Sequence, residues 1–110
     1  MPSSLNLPDP IAAYFVADTQ GPDQVAQCFT PNAVVNDDDH IFTGRDAIRA
    51  WKKAADAKYT CTTEPFSIEL IEGNHAVKAH VAGNFKGSPL DMTFFFRLER
   101  GLIATMEVTV

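Results

Sequence analysis

The hydrophobic pattern of this chain changes period once, from helical in the first half to alternating in the second. Ile11, Tyr14 and Phe15 recur at helical spacing, and Asp9-Pro10 predicts a helix start with Asp9 as N-cap and Pro10 at the first helical position. Gly21-Pro22 ends that helix. A second, short helix from about Asp23 is expected to bury Val25, Cys28 and Phe29 until Thr30-Pro31-Asn32 stops it. Ala33-Val34-Val35 reads as a short strand. Thr43-Gly44-Arg45-Asp46 then predicts a capping box for a third helix. Its apolar stripe is Ala47, Ile48, Trp51, Ala54 and Ala55; Arg45, Arg49 and Lys53 are expected on its solvated face.

From Tyr59 onward the period is two. Phe66, Ile68 and Leu70 alternate with polar residues up to a turn at Glu72-Gly73-Asn74. A strand from Ala76 to Phe85 follows, with Val77, Ala79, Val81 and Phe85 on one face. Gly87-Ser88-Pro89 turns the chain into a strand with Leu90, Met92, Phe94, Phe96 and Leu98 on one face and Asp91, Thr93, Phe95, Arg97 and Glu99 on the other. Arg100-Gly101 leads to a last strand, Ile103 to Val110. Helices followed by an antiparallel meander predict an α+β fold, because a helix with one apolar stripe needs a sheet to cover.

Composition bounds this picture without changing it. At 110 residues the chain is read as a single domain spanning 1–110, large enough to bury roughly 65% of its unfolded surface. With 45% hydrophobic and 21% charged residues it is read as globular. The start, MPSSLNLPDP, has neither a basic nor an apolar region of a secretory signal, and no apolar run reaches the length of a membrane span, so a cytoplasmic protein is expected. Cys28 and Cys61 fit neither a C-x-x-C nor a zinc spacing and are read as free, buried or half-buried thiols. A net charge of -5 argues against a nucleic-acid partner. The cluster Arg45, Arg49, Lys52, Lys53 and Lys58 is read as a solvated helix face in preference to an anion site.

The stretch Ala33 to Trp51 carries the candidate chemistry. Asp37, Asp38 and Asp39 stand where a strand should end, immediately before a well-marked helix, a geometry that can present an acid at a cavity mouth. Asp38 and Asp39 are read as solvated loop charges, and Asp37 as a turn residue or a proton shuttle. His40 beside them is a candidate acid or base, or an exposed loop residue. Asp37-Asp38-Asp39-His40 lacks the spacing of a calcium loop, and adjacent residues point apart, so no metal is expected. No nucleotide-binding glycine motif and no nucleophile elbow occurs, so no cofactor is expected.

The order of elements, with Phe29-Thr30-Pro31-Asn32-Ala33-Val34-Val35-Asn36-Asp37 followed by Gly44-Arg45-Asp46-Ala47-Ile48, resembles the SnoaL-like, ketosteroid-isomerase-like members of the nuclear transport factor 2-like superfamily. The resemblance covers essentially the whole chain. It implies a cone: a strongly curved antiparallel sheet wrapped around three helices, a cystatin-like α+β barrel with a ligand cavity, often dimeric through the outer sheet face.

The resemblance also implies roles. Asp37 matches the strand-end aspartate that shuttles a proton in ketosteroid isomerase relatives, and Tyr14 matches their oxyanion-donating tyrosine. Where those relatives place a protonated aspartic acid, this chain has Phe94, which donates no hydrogen bond, so steroid isomerisation proper is not expected. The expected pocket walls are Tyr14, Trp51, Phe66, Met92, Phe94, Met106 and Val108. Two functions follow. One is a cofactor-independent isomerase, cyclase or dehydratase acting on a small apolar carbonyl compound, with Asp37, Tyr14 and His40 as candidate catalytic residues. The other is a non-catalytic module that binds a small apolar ligand or acts through its dimer. Thr93, Phe95 and Arg97 on the outward strand face lead us to expect a homodimer.

Overall fold

The computed structural model describes residues 5–110; the N-terminal stretch MPSSLNLPDP, read above for a signal, lies partly outside the described residues. The elements are α1 (Asp9–Ala17), α2 (Pro22–Gln27), β1 (Phe29–Asp37), β2 (His40–Thr43), α3 (Arg45–Lys58), β3 (Cys61–Ile71), β4 (Asn74–Gly83), β5 (Leu90–Glu99) and β6 (Leu102–Thr109). Six strands form one curved, open sheet in the order β2-β1-β6-β5-β4-β3. The expected antiparallel meander is β3 to β6. β1 joins β6 in parallel, which makes the sheet mixed.

Two starts differ from the sequence expectation. Pro8, not Asp9, is the N-cap of α1, and its carbonyl accepts from the N–H groups of Ile11 and Ala12 at 3.0 and 2.9 Å. The capping box at α3 does not form. Thr43 is still paired with Val34 in the sheet, Asp46 is drawn to Arg49, and Gly44 caps the helix with φ 89°, a conformation that suits glycine.

The second helix also ends earlier than expected. Phe29 already pairs with Ile103, and Thr30-Pro31-Asn32 lies inside a nine-residue β1 in place of a helix stop. The proline sits at the irregular stretch of the β1–β6 pairing, where no ladder bond is required of it. Three reversals use only two residues each: Asp38-Asp39, Glu72-Gly73 and Arg100-Gly101, all with positive φ. Such turns match the right-handed strand twist.

The core lies between α1, α2 and α3 and the concave sheet face. Ile11, Val25, Phe29, Val35, Ile48, Val77, Phe96, Ile103 and Met106 are all but fully enclosed. Tyr14, Phe15, Phe29, Phe94 and Phe96 meet largely edge to face, with centroids 5.2 to 6.4 Å apart. Such pairs contribute about 0.5–1.5 kcal/mol each beyond burial. No helix among the described residues is long and apolar enough to cross a membrane.

Candidate functional site

An open cleft of about 800 Å³ lies beside the β1–β2 hairpin, between the end of α3 and the sheet. Its floor includes Val81, Leu90, Met92 and Val108; the aromatic rings of Phe42, Tyr59 and Phe85 flank it; Lys58 and Lys86 stand at its rim. The β1–β2 hairpin forms the acidic wall, because Asp37, Asp38, Asp39 and His40 all line the cleft.

The hairpin separates the three aspartates by role. Asp37 is the last paired residue of β1, opposite His40 on β2 and Val108 on β6. Asp38 and Asp39 form the reversal itself, with φ 52° and 63°, a conformation that aspartate tolerates better than most residues. Directly opposite residues of an antiparallel pair share a face, so Asp37 and His40 are brought to the same side.

Asp37 is half-buried, and its carboxylate is held from behind. Trp51 Nε1 donates to Asp37 Oδ2 at 3.0 Å. Trp51 reaches it because α3 carries Ile48 and Trp51 on its sheet-facing side, and Phe42 packs against the indole with centroids 6.2 Å apart. One carboxylate oxygen is therefore fixed by an indole donor while the residue faces the cleft.

The other expected walls lie elsewhere. Met92 and Val108 line the cleft, as do Asp37 and His40. Trp51 stands behind it, and Phe94 and Met106 belong to the enclosed core. Phe66 is 51% exposed, because it is the extra residue of a bulge between Pro65 and Ser67 and falls out of the inward alternation.

Tyr14 is only 3% exposed and sits in the aromatic cluster. Burial raises its pKa well above the ordinary 10.0, and the carboxylates of Asp18, Asp37 and Asp56 with the thiol of Cys28 push it further. Tyr14 thus stays a neutral donor deep behind the cleft, close enough to Asp37 to feel its charge.

Reading the helix α3 as amphipathic missed two features. Its basic residues are a solvated face only in part: Lys53 and Lys58 are exposed, whereas Arg45 Nε donates to the Phe29 carbonyl at 2.8 Å and Arg49 bridges Asp23 and Asp46 at 2.7 Å each. Lys52 is buried, with Asp18 Oδ1 at 2.6 Å and Asp56 Oδ1 at 2.7 Å from its ammonium. Burial opposes its charge, but the two carboxylates outweigh that and raise its pKa. The i,i+4 spacing of Lys52 and Asp56 was the available sequence signal. Ala54, expected in the apolar stripe, is exposed instead. Both cysteines are free; Cys28 is half-buried, whereas Cys61 is exposed at the cleft lining, on the end of β3 that opens towards it.

The SnoaL-like domain family matches residues 11–106, almost the whole chain. The chain belongs to the SnoaL-like family. A proposed polyketide cyclase from Sinorhizobium meliloti has a structure 35% identical in sequence with TM-score 0.88, the match covering 94% of this chain and 95% of that one. A protein with a ketosteroid isomerase-like fold from Catenulispora acidiphila, solved with trimethylamine, is 20% identical with TM-score 0.84, covering 96% and 87%. SalBIII, an epoxide hydrolase/cyclase-like enzyme of pyran ring formation in salinomycin, is 21% identical with TM-score 0.74, covering 90% and 85%. No protein of curated function matches the chain. The SnoaL-like assignment and the ketosteroid isomerase-like, nuclear transport factor 2-like fold thus agree with the α+β cone expected from sequence.

Proposed function

We propose that this SnoaL-like domain is a cofactor-independent enzyme of cyclase, isomerase or dehydratase type. Its substrate is a small, largely apolar carbonyl compound held on Val81, Leu90, Met92 and Val108. Asp37 takes a proton from the carbon next to the carbonyl and returns it elsewhere on the substrate or product; Tyr14, expected as the oxyanion donor, is enclosed in the aromatic core behind the cleft and does not line it. His40, on the same face as Asp37, exchanges the proton held there with solvent before it is returned. The supporting observation is the Trp51–Asp37 hydrogen bond, which sets a carboxylate at the edge of an apolar cleft in a single orientation. Such prealignment is what proton transfer requires.

The 35% identity to a proposed polyketide cyclase supports the cyclase class among these reactions. A second reading, a non-catalytic binder of a small apolar ligand, draws support from Phe94, which is 6% exposed and packs on Phe15 and Phe96 where ketosteroid isomerase relatives carry an acid. We further propose a homodimer through the outer sheet face, where Phe95 borders a shallow groove with Val34 and Thr105.

Both readings predict that small aromatic or alicyclic ketones shift the NMR signals of Met92 and Val108. Only the enzyme reading predicts conversion of a bound compound that stops in Asp37→Asn. Binding with no conversion across a broad ketone and polyketone panel would favour the binder.

A further inference from the structure

Lys52 is the one charged residue buried among the described residues, and it stands between α3, whose Trp51 holds Asp37, and α1, whose Tyr14 packs behind the cleft. Its two ion pairs are not equivalent. Asp56 lies one turn further along α3, so that pair stays within the helix. Asp18 is the C-cap residue of α1, and its backbone N–H donates to the Tyr14 carbonyl at 2.8 Å. The Lys52–Asp18 pair therefore crosses from α3 to α1, one turn beyond Tyr14. Trp51, which holds Asp37, precedes Lys52 directly in the chain.

α3 rests chiefly on α2 and on the β1–β2 hairpin, and α1 has no comparable packing against it. Close backbone packing thus holds α3 chiefly on one side. A buried ion pair is weak evidence for stability, since taking charges out of water costs about as much as their attraction returns. Its value lies in geometry: the two carboxylates accept from Lys52 in one arrangement of the helices.

We propose that Lys52 is a positioning residue of the Asp37 site, tying α1 to α3 so that Trp51 stays hydrogen-bonded to Asp37 and Tyr14 stays at a set distance from both. This proposal rests on the reading of Asp37 as the proton-transferring group.

The chain has a single tryptophan, so its indole N–H gives one unambiguous NMR signal. In the full chain, Lys52→Met and Asp18→Asn should each move that signal upfield and speed its exchange with water by about tenfold. Asp56→Asn leaves the crossing pair in place and should change exchange by no more than about twofold. Lys52→Arg should restore the wild-type signal. Should Lys52→Met not fold, Asp18→Asn carries the comparison, because the Asp18 side chain is already 22% exposed. Melting temperatures that fall while the indole signal stays unchanged would overturn the proposal, as would an Asp56→Asn effect equal to that of Asp18→Asn. The readout is independent of turnover. An active Asp37→Asn enzyme would remove the proton-transfer reading and leave the indole response standing, so the two failures are distinguishable.

Discussion

The Trp51 indole donates to Asp37 Oδ2 at 3.0 Å, joining a residue in the middle of α3 to the last paired residue of β1. This contact places the most promising acid of the chain at the cleft and not in the reversal beside it. Trp51→Phe keeps the ring packing on Phe42 and removes only the donor. It should cost about 1.5 kcal/mol, the lower end for hydrogen bonds to charged groups because the contact is only part-buried. Urea denaturation of the two proteins checks this, and a loss below about 0.3 kcal/mol would show the bond to be idle.

The pKa shifts predict the alkaline limit of the fold. Cys28 is raised from 9.0 by burial, Tyr14 well above 10.0 by burial and then by Asp18 and its neighbours, and Lys52 above 10.5 by its two carboxylates despite burial. Each group holds its proton more tightly folded than unfolded. Their stabilisation is therefore complete below the ordinary values and is lost as pH rises from about 9 through the raised ones. Thermal melts between about pH 8 and 11 should decline, and Tyr14→Phe should flatten the part of the decline that begins near 10. An equally steep decline in the variant would place the Tyr14 hydroxyl in water.

Phe94 faces inward at 6% exposure, with Tyr14, Phe15 and Phe96 around it. Phe94→Asp should destabilise the fold by about 3 kcal/mol or more, since the new carboxyl has no partner there. At Phe66, 51% exposed, the same substitution should cost under about 0.5 kcal/mol. Chemical denaturation of both variants measures the contrast.

Light scattering tests the outer sheet face. The proposed dimer should have twice the 12.0 kDa chain mass at micromolar concentration, and Phe95→Lys should return it to monomer. A monomeric wild-type protein would exclude the dimer at that concentration.

Much of this architecture was legible because period and burial agree: Val77, Ala79, Phe94 and Phe96 alternate in sequence and all face the core. What escaped were features set by pairing at a distance. β2 is a four-residue strand without alternating burial, and it exists because Asp38-Asp39 turns the chain back onto β1. Thr30-Pro31-Asn32 reads locally as a helix stop, yet β6 recruits its neighbours into β1. Phe66 has the right residue type at the right spacing, and one inserted residue sends it outward. Lys52 reads as surface charge until Asp18, far away in sequence, arrives to pair with it. In the candidate site Asp37 and Trp51 were each identifiable, whereas their hydrogen bond depends on how α3 lies across the sheet.

The most direct test is Asp37-dependent exchange of carbon-bound hydrogen. Wild-type protein is incubated in heavy water with a panel of small enolisable ketones and β-dicarbonyl compounds, and deuterium incorporation is followed by NMR against Asp37→Asn. The account predicts that at least one apolar member exchanges faster with wild type and that Asp37→Asn lowers this rate on the order of 100-fold or more, as expected when a general base is removed. Equal rates with both proteins, for compounds shown to bind the cleft, would contradict it.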